Sequence, residues 1–263
     1  MEKIPTEIMV MILNVLDFKS QIRFIFTSKK NKHLLKYWII TERIYVNKKV
    51  LKWSHYDNLI NIVIDKLLEN YPKNLQFLSF DRIFNKPING DSIPKTVTYI
   101  HFGWYFNQTV DNLPTSIIHL IFGRDFNQPP NNIPTSVKYL IFGHDFNQSV
   151  DKLPSSIKNI EFGHHFNQTV DKLPSFIKNI EFGHRFNQSV DKLPSFIKNI
   201  EFGCNFNQSI KNLPSTVTHL EIGWEFNRPL KDIPNRVRSV WPYPFYIKRI
   251  WPKTIIGHTF DYL

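Results

Sequence analysis

Apolar residues recur along most of this chain with a fixed spacing. Between Pro94 and Pro234 a proline stands every 20 residues, and a longer copy of 22 residues begins at Pro72. A representative copy reads PSSIKNIEFGHHFNQTVDKL, and counting its proline as offset 0 places apolar residues at offsets 3, 6, 8, 12, 16 and 19. Self-similarity at a fixed period is the sequence signature of a solenoid, in which each repeat packs against its neighbours.

The step from offset 6 to offset 8 predicts one short β-strand in each copy. Alternate residues of a strand share a face, so offsets 6 and 8 (Ile160 and Phe162) point inward and offsets 5 and 7 point outward. Because 20 residues are too few for a βαβ unit, we expect a parallel β-solenoid with strands about 4.8 Å apart. The glycine at offset 9, such as Gly163, suits a turn with unusual backbone dihedral angles at the strand end.

Two positions hardly vary among the copies, the phenylalanine at offset 12 and the asparagine at offset 13. We expect the phenylalanines to stack as an aromatic spine in the core. We expect the asparagine amides to satisfy backbone groups that are left unpaired where each strand ends. A ligand groove is the alternative for both positions, but a residue that recurs in every repeat is what packing demands.

The spacing of offsets 3, 6 and 8 is that of the L-x-x-L-x-L core of a leucine-rich repeat. The recurring segment FNQ-x-V-x-x-LP, over about residues 72 to 240, resembles the FNIP repeat, a leucine-rich-repeat-like family. The stretch from Val240 reads differently and has no Phe-Asn pair, and we expect residues 241 to 263 to cap the stack.

Residues 1 to 45 carry no copy of the repeat, and their apolar spacing predicts three short helices. The segment that begins Ile4-Pro5-Thr6-Glu7-Ile8 resembles the F-box. That resemblance implies an adaptor that binds Skp1 and thereby joins a Skp1–cullin–F-box ubiquitin ligase, and the combination with FNIP repeats resembles proteins of giant viruses and social amoebae. A plain helical cap is the alternative. The predicted Skp1-binding residues are Ile4, Pro5, Ile8, Ile12, Leu16 and Ile22.

The predicted fold class is therefore α+β and multidomain, with a three-helix F-box-like module followed by a leucine-rich-repeat-like parallel β-solenoid. Residues 46 to 71 form a linker or an N-terminal cap of the solenoid. Leu59, Ile62 and Ile64 repeat the strand spacing, although residues 64 to 68 are also compatible with a helix.

Outward positions of the strand and of the turn after the glycine change from copy to copy. Variable outward positions of a solenoid form its extended binding surface, and Trp, Tyr and Arg dominate interface energetics. We predict that a target protein binds there; neutral drift is the alternative. The predicted binding residues are Tyr99, His101, Trp104, Tyr105, His119, Arg124, Asp125, Tyr139, His144, Asp145, His164, His165, His184, Arg185, Trp224 and Glu225.

Histidines are the remaining candidate for chemistry. His144, His164 and His184 occupy offset 10 of successive copies, with His165 beside them, so they could share a zinc ion or respond to pH. Because parallel positions on a solenoid diverge, we expect no metal site.

Repeated glutamates share one environment and give no acid–base pair, and Cys204 replaces a histidine at a variable position. We therefore expect no enzyme activity and no cofactor.

Composition and charge limit the partners. The formal net charge of +11 favours anionic partners, but much of the excess lies before residue 74, and nucleic acid is a minor expectation. The single cysteine favours a reducing compartment. No apolar run approaches the roughly 20 residues of a membrane span, so we expect no membrane partner. The predicted location is cytoplasmic or nuclear, inside the host cell if the source is a virus.

Overall fold

The computed structural model describes residues 43 to 242, except 48–49, 53–56, 58, 89, 230, 232, 235–236 and 238. These residues form one parallel sheet of 11 strands in sequential order. The strands are β1 (Ile44–Tyr45), β2 (Asn61–Ile64), β3 (Phe77–Phe80), β4 (Tyr99–His101), β5 (His119–Ile121), β6 (Tyr139–Ile141), β7 (Asn159–Glu161), β8 (Asn179–Glu181), β9 (Asn199–Glu201), β10 (His219–Ile222) and β11 (Ser239–Pro242). Two short 3₁₀ helices span Val50–Lys52 and Gly90–Ser92.

Each repeat forms one turn of the solenoid, called a rung below, and contributes one strand. The strands pair at the same offset in consecutive rungs, so that Leu140 lies opposite Ile160 and Ile160 opposite Ile180. Rung-to-rung hydrogen bonds continue beyond the strands, since the His165 N–H donates to the His144 carbonyl at 2.9 Å. Equal offsets therefore stack along the whole solenoid, which is what the fixed period predicts.

The prediction of an α+β fold is wrong for the part of the chain that the structure describes. That part is a parallel β-solenoid without an α-helix, and a three-helix module is not part of it. The predicted Skp1-binding residues, between positions 4 and 22, lie outside the described residues. Near the end of the predicted module, Ile44 and Tyr45 form β1, which pairs in parallel with β2. Among the described residues, no helix is long and apolar enough to cross a membrane.

The sequence left open whether the stretch before Pro72 contains a strand or a helix, and the structure shows a strand. Residues Asn61–Ile64 form β2, all four of its residues are buried, and Leu59 is fully buried beside them. Leu67 and Leu68 are partly buried against the same core. The strand spacing therefore continues on the N-terminal side of Pro72. Of the predicted C-terminal cap, only residues 241 and 242 are described, at the end of β11.

The core consists of the six apolar offsets of each rung. In the rung from Pro154 these side chains are at most 8% exposed: Ile157, Ile160, Phe162, Phe166, Val170 and Leu173. The phenylalanines form two stacks, because Phe162 and Phe166 lie face to face at 3.9 Å within a rung and Phe166 stacks on Phe186 of the next rung at 6.0 Å. Each buried phenylalanine contributes about 1.5–3 kcal/mol through the hydrophobic effect.

The glycine at offset 9 is required for a different reason from the one predicted. We expected unusual backbone dihedral angles, but none of the seven repeat glycines from Gly103 to Gly223 has a φ in the left-handed region that favours glycine. Instead, consecutive rungs come so close at this point that a Cβ on Gly163 would lie 1.7 Å from the carbonyl oxygen of Gly143. Any side chain would therefore force the two rungs apart.

Candidate functional site

The outward side chains of β4 to β10, at offsets 5 and 7, form a continuous surface that we call the strand face. Its N-terminal half is aromatic at offset 5. Tyr99 lies 5.9 Å from His119, and His119 stacks on Tyr139 at 4.4 Å between ring centroids. Phe77 extends the row, 5.5 Å from Tyr99. Tyr139 is 41% exposed, so this aromatic row is open to a partner.

The histidines of this half are neutral at physiological pH. Burial, followed by the positive charge of Arg43, lowers the pKa of His101 to about 4. Burial also lowers the pKa of His119. Beside them on β5 and β6, offset 7 carries Ile121 and Ile141, which are half-buried. The N-terminal half of the strand face is thus an uncharged surface of rings and aliphatic side chains at neutral pH.

The C-terminal half of the strand face is polar. The amide of Asn179 donates to the side-chain oxygen of Asn159, and the amide of Asn199 donates to that of Asn179 at 2.5 Å. At offset 7 the same strands carry Glu161 and Glu201, with another glutamate between them. The two halves therefore offer different chemistry on one backbone.

Burial and neighbouring carboxylates favour the protonated form of these glutamates. Burial is the main cause that raises the pKa of Glu161 to about 8, and repulsion from Glu181 and Glu201 adds to it. Burial, together with repulsion from Glu181 and Glu221, raises the pKa of Glu201 to about 8. A carboxyl that stays protonated at neutral pH donates a hydrogen bond, so this half presents donors as well as acceptors.

The turn after each glycine, at offsets 10 and 11, forms an edge that we call the rim. At its N-terminal end the Arg82 guanidinium lies 4.2 Å from the centroid of the Trp104 ring, and the Arg124 guanidinium lies 5.7 Å from the same ring. Tyr105, which is 43% exposed, lies 5.6 Å from Arg82. Two cations thus lie within cation–π distance of the tryptophan ring, and this attraction stabilises the cluster.

The middle of the rim holds a cluster of histidines. His164 stacks on His144 at 4.7 Å and on His184 at 4.8 Å. His165 lies 4.5 Å from His144 in a tilted arrangement. The Asp145 carboxylate is 2.5 Å from Nδ1 of His144. The histidine side chains at offsets 10 and 11 thus converge here, although we expected side chains at parallel positions to diverge.

All the residues predicted to bind a target lie on these two surfaces. Tyr99, His101, His119 and Tyr139 belong to the strand face, and the other predicted residues belong to the rim. The set extends from β4 to the turn after β10, six rungs further, which corresponds to about 29 Å at the usual strand spacing. The structure therefore brings Trp104, Tyr105 and Arg124 into one cluster, whereas Trp224 lies at the far end of the array.

A pair of exposed phenylalanines was missed by the sequence reasoning. Phe176 and Phe196 occupy offset 2 of neighbouring rungs, stack at 5.6 Å and are 49% and 54% exposed. The four rungs from Pro94 to Pro154 and the rung from Pro214 carry serine or threonine there, and the Ser156 hydroxyl donates to the Val137 carbonyl of the preceding rung at 2.7 Å. The replacement of a small hydroxyl residue by phenylalanine in two copies was the available signal.

Comparison with protein families supports the repeat assignment. The family model described as "FNIP Repeat" matches seven segments: 66–105, 84–125, 106–145, 129–165, 166–205, 189–225 and 206–240. The chain belongs to the FNIP-repeat family. No curated protein matches the chain.

A solved structure resembles the same region. The chain is similar to CroV588, a giant-virus protein described as a novel circular leucine-rich-repeat protein, with 36% sequence identity and a TM-score of 0.64. The alignment covers 71% of this chain and 30% of CroV588. The FNIP repeats of this chain thus share a leucine-rich-repeat-like architecture with a larger protein.

Proposed function

We propose that this chain is a repeat scaffold that binds a partner protein along its strand face and rim. The observation that carries the proposal is the aromatic row of Tyr99, His119 and Tyr139. The same repeats also carry the cluster of Trp104 and Arg124 in the turns that follow their strands. Trp, Tyr and Arg are the residues that contribute most to the energy of protein interfaces.

Rigidity supports the same function. The core and the rung-to-rung hydrogen bonds are nearly identical in every repeat, so the backbone under the strand face is fixed before a partner arrives. Binding to a surface that is already ordered loses little conformational entropy. Outward positions can change without disturbing this framework, and this allows the aromatic half and the polar half to differ.

Protein is a better partner for the strand face than nucleic acid. Affinity for nucleic acid depends on lysine and arginine contacts to phosphates. The strand face instead carries Glu161 and Glu201 in its polar half and uncharged rings in its aromatic half. We therefore assign the aromatic row to contacts with apolar side chains of a protein.

The narrower proposal is an adaptor of a Skp1–cullin–F-box ligase that presents a bound target for ubiquitin transfer by other subunits. It depends on Ile4 to Ile22, outside the described residues, and it stays a prediction. The expectation that the chain is not an enzyme also stays a prediction. The scaffold proposal requires neither, because it rests on the repeats alone.

Site-specific photocrosslinking tests the scaffold proposal. A benzoylphenylalanine is placed at the position of Tyr139 on the strand face, and in a second protein at the position of Thr169, which is exposed at offset 15. After irradiation in a cell lysate, we expect discrete protein adducts from position 139, reduced by excess unlabelled chain, and none of these from position 169. Identical adducts from both positions, or none that unlabelled chain reduces, would contradict the proposal.

A further inference from the structure

We propose that His144, His164 and His165, oriented by Asp145, form a binding site on the rim for a divalent transition-metal ion of the zinc type. One ring nitrogen from each histidine lies within 4.8 Å of those of the other two. The three residues come from two rungs and from two different offsets. This mixed origin makes the rings converge, because His165 approaches the stacked pair from the side.

An unsatisfied nitrogen points to a ligand at this place. Nδ1 of His164 is buried and has no hydrogen-bond partner. Most buried polar atoms in proteins are paired, because an unpaired one loses its hydration without compensation. A metal ion coordinated by this nitrogen would compensate the loss, as imidazole nitrogen is a common ligand of zinc, copper and nickel.

Asp145 supplies the outer support that metal-binding histidines need. Its Oδ1 lies 2.5 Å from Nδ1 of His144 and 3.4 Å from Nδ1 of His165. A carboxylate that accepts the Nδ1 proton fixes the ring orientation and leaves the lone pair on Nε2 for a metal ion. The Asp145 charge also offsets part of the charge of the cation.

Positive charge close to the three histidines opposes the binding of a cation. Arg185 and the nearby Arg124 repel a cation, so we expect micromolar rather than tighter affinity.

Small side-chain movements complete the site. Zinc–nitrogen bonds of 2.0–2.1 Å place tetrahedral ligands about 3.3 Å apart, so the rings must approach by about 1.5 Å. The side chains of His144 and His165 are 38% and 34% exposed, which leaves them room to turn. Three nitrogen ligands leave a fourth position open to water or to an exogenous ligand. No other described rung has this combination: the next carries His184-Arg185.

The test is a titration of the full chain, freed of metal, with Zn²⁺ by calorimetry and with Co²⁺ by absorption, which reports tetrahedral nitrogen ligation. We expect one ion per chain with micromolar affinity. His165→Asn should weaken binding at least about tenfold. The rung from Pro194 already carries an asparagine, Asn205, at this offset. His184→Asn, in the same stack but outside the triad, should change the affinity by less than twofold.

Absence of saturable binding would overturn the proposal. So would binding that His165→Asn leaves unchanged, because the chain has 10 histidines and such ions would be held elsewhere. Circular dichroism verifies that each variant is folded. Nitrogen-15 spectra of the wild-type histidine rings need no variant: Zn²⁺ should shift the ring nitrogens of three histidines, His164 among them, and a spectrum that Zn²⁺ does not change would overturn the site.

Discussion

The side-chain oxygen of Asn147 accepts a hydrogen bond of 2.9 Å from the backbone N–H of Asn167, one rung further along the solenoid. The same oxygen accepts a second bond of 3.1 Å from the amide of Gln168. The backbone hydrogen bond repeats from Asn85 to Asn207, and the glutamine bond repeats from Asn85 to Asn187, so the recurring asparagine joins each rung to the next. It satisfies backbone donors beyond the strand ends, which is the role that the sequence predicts for it.

Removal of one such oxygen should destabilise the solenoid measurably. We expect Asn147→Ala to lower the free energy of unfolding by about 2 kcal/mol, because it removes two hydrogen bonds of roughly 1 kcal/mol each. Gln168→Ala removes one of the two and should cost about half as much. Asn147→Asp keeps an acceptor and is the matched control. Urea denaturation measures all three, and equal stability of Asn147→Ala and the wild type would contradict the ladder.

The close approach of rungs at the glycines gives a second prediction. Gly163→Ala would bring a Cβ to 1.7 Å from the Gly143 carbonyl oxygen, so the rungs must separate. We expect a loss of about 3 kcal/mol or unfolding of the array. Ser155→Ala, at an exposed position of the same rung, should stay within about 0.5 kcal/mol of the wild type. A fully stable Gly163→Ala protein would show that the rungs are further apart than described.

The raised pKa values of Glu161 and Glu201, both to about 8, predict a loss of stability from pH 6.5 to pH 8. In this window the folded chain holds protons that the unfolded chain has released, so each extra bound proton lowers the free energy of unfolding by up to about 1.4 kcal/mol per pH unit. The lowered pKa values of His101 and His164, both to about 4, act in the opposite direction: they lower stability as the pH falls through the ordinary histidine pKa of 6.5.

Replacement of the two carboxyls isolates this effect. The double variant Glu161→Gln with Glu201→Gln should have a melting temperature that is constant or rises slightly between pH 6.5 and pH 8, because neither amide titrates and the histidines with lowered pKa values favour the folded state as the pH rises. The wild type should lose melting temperature over the same window. Parallel profiles for the two proteins in differential scanning calorimetry would contradict the raised pKa values.

The exposed phenylalanine pair should be dispensable for folding. In Phe176→Ser with Phe196→Ser, each new hydroxyl can donate to the preceding rung as the Ser156 hydroxyl does. We expect the variant to be as stable as the wild type or more stable by about 1 kcal/mol for each hydrogen bond formed. Urea denaturation decides, and a loss of more than about 1 kcal/mol would show that the pair stabilises the solenoid.

The sequence predicts the solenoid well because period and burial are directly coupled. An apolar residue such as Ile160 recurs at the same offset in each rung, and stacking then buries it whatever the turns look like. The reason predicted for the repeat glycine was wrong. The close approach between Gly163 and Gly143 depends on the distance between rungs, which the sequence of one repeat does not give.

The candidate site was predictable in composition but not in geometry. The outward positions of Tyr99 and Tyr139 follow from strand alternation. The convergence of His165 on His144 depends on the path of the turn after the glycine, which the period leaves open. The helical spacing in residues 1 to 45 likewise did not indicate that Ile44 and Tyr45 would join the sheet.

One measurement tests the binding function most directly, the affinity for the partner found by crosslinking. The triple variant Tyr99→Asn, His119→Asn and Tyr139→Asn places at offset 5 the residue that β7 to β9 already carry there, so the fold should be retained. We expect the affinity to fall at least about 100-fold with little change in melting temperature, because aromatic residues in an interface contribute 2 kcal/mol or more. Unchanged affinity in the triple variant, or an equal loss in Thr169→Ala, would contradict a partner-binding strand face.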